Sequence, residues 1–351
     1  MRAIITAVAG LAMSLTATPA FAWGEPGHEL VGAVAQRTLE QANPAVAKQV
    51  ASLLGSLTLA QATTWADCAR DVHKTAQGTF TYETSKYTPQ VCQTDALKAE
   101  IPAMTDYARR NWNQCVYTAQ EGCLGTYHFA DVAYGHAAYD RAWVGTGPHD
   151  IVSVIDQAYA LLHTGAATGV ATIASKREAL LLIAHLVGDL HQPLHVGAVY
   201  LDANGRITDP DAAHLPLTYC EGAKRVPCTT GGNSITVAKG KNLHATWDDI
   251  PETWSVDKDP DLVSGAMALP ATPGAPEGWA AAWASESVVE AGRVAFAGLG
   301  YRFTGTDKDP AWSVQFADTQ AYAKAREAEQ RQQITRAGAR LAQILIAALS
   351  N

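Results

Sequence analysis

From Lys176 to Leu190 the chain is apolar nearly all round at helical spacing, the pattern of a helix buried on every side. Yet this segment carries His185 and Asp189, four residues apart and so on one helix face. Pro193 then ends or kinks the helix, and His195 follows. Three good metal donors therefore converge from one short stretch. A second pair, His244 and Asp248 in Asn242-Leu-His-Ala-Thr-Trp-Asp248, repeats the four-residue spacing. Imidazole and carboxylate in such clusters suit zinc. Either pair alone reads equally well as the polar face of an ordinary helix. Two such pairs plus His195 in one chain weaken that reading.

The N-terminus reads as a secretion signal. Arg2 supplies the positive region, Ile4 to Leu15 the apolar core, and Ala20-Phe21-Ala22 the small-residue cleavage site. The apolar run is too short to span a membrane, and no membrane anchor is expected elsewhere. Residues 1–22 are thus expected to be removed, leaving one domain over 23–351 that begins at Trp23 and works as a monomer in the periplasm or outside the cell. Without Arg2 the chain holds 25 basic and 34 acidic residues, a formal charge of −9. There is no Lys/Arg-rich patch of the kind that grips duplex DNA. A nucleic-acid ligand would have to be drawn by bound cations at a small local site.

Most of the remaining sequence reads as helix. Glu29 to Gln41 has helical apolar spacing and stops before Asn43-Pro44, and Ala45 to Leu54 forms a second helix ending at Gly55. Ala60 to Val72 looks helical. Asp150 caps a helix carrying Ile151, Val154, Ile155, Tyr159 and Leu162. Asp318 to Ala348 reads as a packing helix with one solvated face. Val199 to Val237 is the exception, a loop with a small hairpin built from Ala198–Leu201 and Ser234–Val237. Pro251 to Pro276 reads as irregular. The expected class is therefore all-α, with a small β-hairpin insertion.

Six cysteines in a secreted chain point to disulfides. Cys115 with Cys123 and Cys220 with Cys228 are close enough to be local staples, which leaves Cys68 with Cys92. Six cysteines allow other connectivities. None has the CxxC spacing of a sulfur-bound zinc.

Further donors sit at Trp23-Gly-Glu-Pro-Gly-His28, at Trp65-Ala-Asp67 and at Tyr127-His128-Phe-Ala-Asp131. A free α-amino group at Trp23 can lose its proton to a metal, and the Trp23 carbonyl can close a chelate ring. With these pieces in place the chain resembles the three-zinc, single-strand-specific nucleases of the S1/P1 family, distant relatives of zinc-dependent phospholipases C. The resemblance rests on Trp23-Gly-x-x-Gly-His28, Trp65-Ala-Asp67-x-x-Arg70, His128-Phe-x-Asp131, the His185 to His195 block, Gly231-Gly-Asn233 and Asn242-Leu-His-x-x-Trp-Asp248. These run in the family's order and cover Trp23 to about Asp248. The C-terminal hundred residues match only as helical filler.

The resemblance implies a mainly helical nuclease or phospholipase C-like fold holding three Zn²⁺. One takes Asp67, His128, His185 and Asp189. Its neighbour takes the Trp23 amine and carbonyl, His28 and, as a bridge, Asp189. The third takes His195, His244 and Asp248, and its open position marks catalysis. The two bridged zincs would share a hydroxide nucleophile, oriented by Asp131. Arg70 would neutralise the phosphoryl oxygens. Phe129 offers a face for a base to stack on, or simply packs in the core, and Asn233 lies in a loop near the substrate. His73, His136, His149, His163 and His214 match no ligand position, and His191 would at most support the ligands or face the groove. The Leu201 to Thr230 insertion is expected to border the cleft. The implied activity is hydrolysis of single-stranded RNA and DNA to five-prime nucleotides, with removal of three-prime phosphates from nucleotides. The rival readings are a phospholipase C, whose pattern has Glu where Asp248 stands, and a non-catalytic zinc-binding protein, which would not need Asp131 and Arg70 around an open metal site.

Overall fold

Helix α8 (Lys176–Leu190) runs where the sequence places it, capped by the Ser175 side chain, which accepts from the Glu178 N–H. Every residue from Glu178 to Leu190 is buried. The helices α1 (Glu25–Ala42), α2 (Pro44–Leu54), α3 (Leu59–Ala62), α4 (Trp65–Ala69) and α7 (Ile151–Thr164) pack against it, as do α11 (Trp279–Glu290) and α12 (Thr319–Leu349). Burying each Leu or Ile of α8 contributes roughly 1.5–3 kcal/mol, so this helix is the axis of the main apolar core. The other α-helices among the described residues are α5 (Asp95–Lys98), α6 (Ile101–Arg110), α9 (Leu243–Asp248) and α10 (Pro260–Ala268). The computed structural model describes residues 23–86, 88–113, 122–220, 225–237 and 240–350. The fold is mainly α with small sheets, as expected. Among the described residues, no helix is long and apolar enough to cross a membrane. The expected signal segment, residues 1–22, lies outside the described residues, as does Cys115 of the expected Cys115–Cys123 pair.

Several expected boundaries hold. Asn43 caps α2 through its Oδ1, which accepts from Val46 N, and Gly55 ends the helix at positive φ. Asp150 caps α7 by accepting from Ser153 N. Asp318 caps α12, whose buried residues begin at Glu329. The disulfides Cys68–Cys92 and Cys220–Cys228 are formed.

Others do not. Ala60 to Val72 is not one helix. The Thr63 and Thr64 hydroxyls bond back to the carbonyls of Ala60 and Gln61, competing with the helix ladder. The chain breaks between α3 and α4 and enters strand β1 (Val72–Lys74), antiparallel to β2 (Phe80–Tyr82). The two β-like runs of the insertion do not pair with each other. The strand β5 (Tyr200–Leu201) pairs with β6 (Ile207–Thr208), and β7 (Ile235–Thr236) lies parallel to β9 (Trp312–Phe316), which pairs with β8 (Leu299–Phe303). This arrangement gathers Val199, Leu201, Ile235, Trp247 and Trp312 into a second apolar cluster. The C-terminal region is therefore not helix alone. Nor is Pro251 to Pro276 wholly irregular, because α10 starts at Pro260 with Asp261 in its first turn, both favourable at a helix N-terminus.

One short pairing places the site. The strand β3 (Val132–Ala133) lies parallel to β4 (Gly197–Ala198). The Ala130 N–H donates to the His195 carbonyl at 2.7 Å and Val132 N–H to the Val196 carbonyl at 2.9 Å. The His128–Asp131 segment is thereby zipped alongside His195, just beyond α8.

Candidate metal centre

All eight expected side-chain donors are buried and meet in three groups. Asp189 stands between two of them. Its Oδ2 lies 2.9 Å from His128 Nδ1 and 3.0 Å from His185 Nε2, while its Oδ1 lies 3.1 Å from His28 Nε2. Asp67 Oδ1 is 3.8 Å from His185 Nε2 and 3.9 Å from His128 Nδ1. The His28 ring stacks on His185, with centroids 4.2 Å apart. Helix α9 brings His244 and Asp248 to His195 as the third group, with His244 Nε2 2.9 Å from His195 Nε2 and 3.8 Å from Asp248 Oδ1. Trp23 is wholly buried beside α8, its indole N–H donating to the Gly188 carbonyl at 2.8 Å.

These donors fit a cation because the hydrogens that would otherwise separate them are spent elsewhere. A carbonyl oxygen can only accept, so each ring nitrogen facing one must carry the proton. His185 Nδ1–H donates to Thr63 O at 2.6 Å, His195 Nδ1–H to His128 O at 2.7 Å and His244 Nδ1–H to Gly231 O at 2.8 Å. His195 and His244 are then left with bare Nε2 lone pairs, which face each other at 2.9 Å. Burial pushes His195 down to about 3 and His244 to about 4, so neither takes a proton to relieve the repulsion near neutrality. Both nitrogens of His28, and Asp189 Oδ1, are buried with no hydrogen-bond partner. The 3.1 Å between His28 Nε2 and Asp189 Oδ1 lacks the alignment of a hydrogen bond. A cation within each group would satisfy the facing rings of His195 and His244, His28 Nε2 and Asp189 Oδ1, and an N/O donor set of this kind suits zinc.

Charge tells the same story. Burial disfavours a proton on His185, but the Asp189 and Asp67 carboxylates outweigh it and push the imidazole up to about 9. Burial raises Asp248 well above the usual carboxylate range, against the Gln192 N–H that it accepts. Such a cluster holds protons only where it lacks metal.

Asp131 is held from several sides. Its N–H donates to the Gly145 carbonyl at 2.9 Å, and the buried Tyr200 hydroxyl donates to its own carbonyl at 2.6 Å. Gly145 has φ +89°, and a Cβ there would come to 2.3 Å from the Asp131 oxygen, so only glycine fits. Burial raises the Asp131 carboxyl to about 7, opposed by a bond from the Gly231 N–H. Gly231 also has positive φ, and its Cβ would meet the Leu194 oxygen at 2.3 Å.

Arg70, Phe129, Asp131 and Asn233 wall a cleft of about 120 Å³ over His128, His195 and His244. Arg70 Nη1 lies 3.4 Å from Asp67 Oδ1. The Asn233 amide is partly engaged, donating to Thr230 O at 2.8 Å and accepting from Asn242. The insertion does border this region. Leu217, Thr218 and Cys220 line a small pocket that shares Phe129 and Asp131 with the cleft.

The sequence reading missed Thr63, whose backbone oxygen carries no side-chain signal, and Gln192, buried between α8 and His195. His191 is buried but does not face the groove. It bonds to the Val187 carbonyl and to Arg340, and Arg340 pairs with Glu286. His136, set aside from the sequence, joins Asp209 and Asp211 in a fourth, partly exposed group.

None of the curated proteins matches this chain. The family model described as S1/P1 Nuclease matches residues 23–350, well past the Asp248 limit of the motifs. The chain belongs to the S1/P1 nuclease family.

Proposed function

We propose that this nuclease is a zinc-dependent phosphodiesterase that cuts single-stranded RNA and DNA to five-prime nucleotides and removes three-prime phosphates from nucleotides. The observation that carries the reading is the pair of hydrogen-free ring nitrogens of His195 and His244, 2.9 Å apart in the floor of the cleft. Asp67, His128, His185 and Asp189 would hold one zinc. Trp23, His28 and Asp189 would hold a second, and His195, His244 and Asp248 a third. Bound zinc would supply Lewis acidity and acidify a water at neutral pH.

The chain's own residues do the rest. Asp131, raised to about 7, orients the attacking water and takes its proton, with its position fixed by Gly145, Tyr200 and Gly231. Arg70 neutralises charge growing on the phosphoryl oxygens. Phe129 gives a base a stacking face that tolerates any sequence. Asn233 contacts substrate with the part of its amide that Thr230 and Asn242 leave free. A recessed cluster admits a splayed single strand and rejects a stiff duplex. Residues 1–22 are removed on export, so that one monomeric domain starting at Trp23 works outside the cytoplasm, pinned by its disulfides.

Zinc analysis of the purified protein, together with assays on single-stranded DNA, RNA, a three-prime nucleotide, duplex DNA and phosphatidylcholine, tests this reading. The expected result is close to three zincs per chain and hydrolysis of the first three substrates. Comparable hydrolysis of phosphatidylcholine would move the reading to a phospholipase C. Absence of both zinc and hydrolysis would overturn it.

A further inference from the structure

Gln192 has no place in the chemistry described so far, yet it bonds to three of the donor residues, Asp189, His195 and Asp248. It is wholly buried, where a carboxamide needs both ends satisfied. Its Nε2 donates to Asp248 Oδ1 at 2.8 Å, and its Oε1 accepts from Leu194 N at 2.6 Å. Its backbone N–H donates to the Asp189 carbonyl, and its own carbonyl accepts from His195 N, both at 2.9 Å. One residue is thus bonded to a donor residue of the paired groups and to two of the third.

We propose that Gln192 is a positioning residue that aims Asp248 at the third zinc and fixes that site's register against the pair bridged by Asp189. This rests on the three-zinc reading above. The carboxylate oxygen that faces His244 Nε2, at 3.8 Å, is the one that Gln192 holds. The amide N–H occupies one of its lone pairs and leaves another for a cation. A ligating carboxylate held by such a bond keeps its orientation when metal leaves, and loss of partners of this kind typically weakens metal binding about 10- to 100-fold. A simple turn cap would need only the acceptor end, on Leu194. The donor end reaches a residue 56 positions away.

Two substitutions separate these roles. Gln192→Glu keeps an acceptor for Leu194 but loses the donor to Asp248, whereas Gln192→Met loses both. Zinc is measured by stepwise chelation of the purified proteins. The expected result is that both variants keep two tightly bound zincs and bind the third about 10- to 100-fold more weakly, with turnover recovering in excess zinc. Wild-type affinity for all three zincs in Gln192→Glu would reduce Gln192 to a turn cap and overturn the proposal. A wild-type protein that binds no zinc would instead overturn the reading on which it rests. Should neither variant fold, the wild-type protein labelled with ¹⁵N-glutamine gives the answer. Withdrawing the weakest zinc should shift the signal of one exchange-protected side-chain amide, and an unchanged spectrum would overturn the proposal.

Discussion

Two regions of this molecule gather imidazoles and carboxylates at similar spacing, and they are not alike. In the buried centre, ring nitrogens face one another without a hydrogen between them. At the surface, His136, Asp209 and Asp211 also lie within 4.8 Å of one another, yet their bonds are already made. His136 Nε2 is 3.0 Å from Asp211 Oδ2, and Asp211 Oδ1 accepts from Val144 N at 2.8 Å. Asp209 Oδ1 accepts the N–H groups of Asp211 and Ala212, and the His136 ring packs on Trp143. Water screens what remains, so this group costs little without an ion. Buried charges left unpaired cost several kcal/mol each. Crowded donors therefore do not define a metal centre. Donors whose protons point elsewhere do.

The largest test of this contrast is Asp189→Asn. Its two oxygens face two different groups, and an amide offers one oxygen where the carboxylate offers two. Zinc should fall from three per chain to one, and nuclease turnover by about 1,000-fold or more. Full zinc content would mean that the orphaned nitrogens, and not the carboxylate between them, hold the pair.

How much of this could be read in advance follows the range of each interaction. Helix α8 and its His185/Asp189 face were legible because helical spacing is a local property. Asp150 announced its helix in the same way, and Asn43-Pro44 and Gly55 marked where two others stop. The pairing of Ile235 with Trp312 was not legible, because two-residue strands carry almost no alternation and their partner lies far along the chain. Gln192 was hidden for the same reason. Its amide matters only once Asp248 has folded back against it. Thr63 serves through a backbone oxygen, which no residue type advertises.

A second, smaller effect separates assembly from chemistry. Asp131→Asn should keep three zincs and lose about 10²- to 10⁴-fold in turnover, the range for a general base. The metal-free variant should also be more stable than the metal-free parent in mild alkali. The carboxyl is raised from 3.8 to about 7, so the folded state holds a proton that the unfolded chain has released. That stabilisation is full below about 3.8 and is lost as pH rises through 7. Removing the titrating group at pH 8 should therefore gain at least about 1 kcal/mol. Equal melting temperatures at pH 8 would show that Asp131 is not strained by its burial.

Proton release is the next measure. With no metal, His185 is pushed up to about 9, so at pH 7 it carries a proton that zinc must displace. Adding zinc to metal-free protein in weak buffer at pH 7 should release at least about one proton per chain. Lowering the pH should weaken zinc binding, since protons compete for the same nitrogen. Binding without proton release would mean that His185 is already neutral and that the Asp189 charge is compensated in some other way.

The smallest effect belongs to the surface group. If His136 serves only as the hydrogen-bond partner of Asp211, His136→Ala removes one partly buried bond and a ring contact with Trp143. That should cost about 1 kcal/mol, read as a small drop in melting temperature. Zinc should stay at the parental value and turnover within about twofold, because the segment from His136 to Gly145 still meets Asp131 through its backbone. A change in the Michaelis constant alone would fit a loosened insertion, since Asp211 sits in the loop whose Leu217 and Thr218 line the pocket beside Phe129. Loss of one metal equivalent, or a tenfold fall in turnover, would erase the distinction between the two regions. It would also show that a satisfied, partly exposed cluster can bind metal as firmly as one whose protons are turned away.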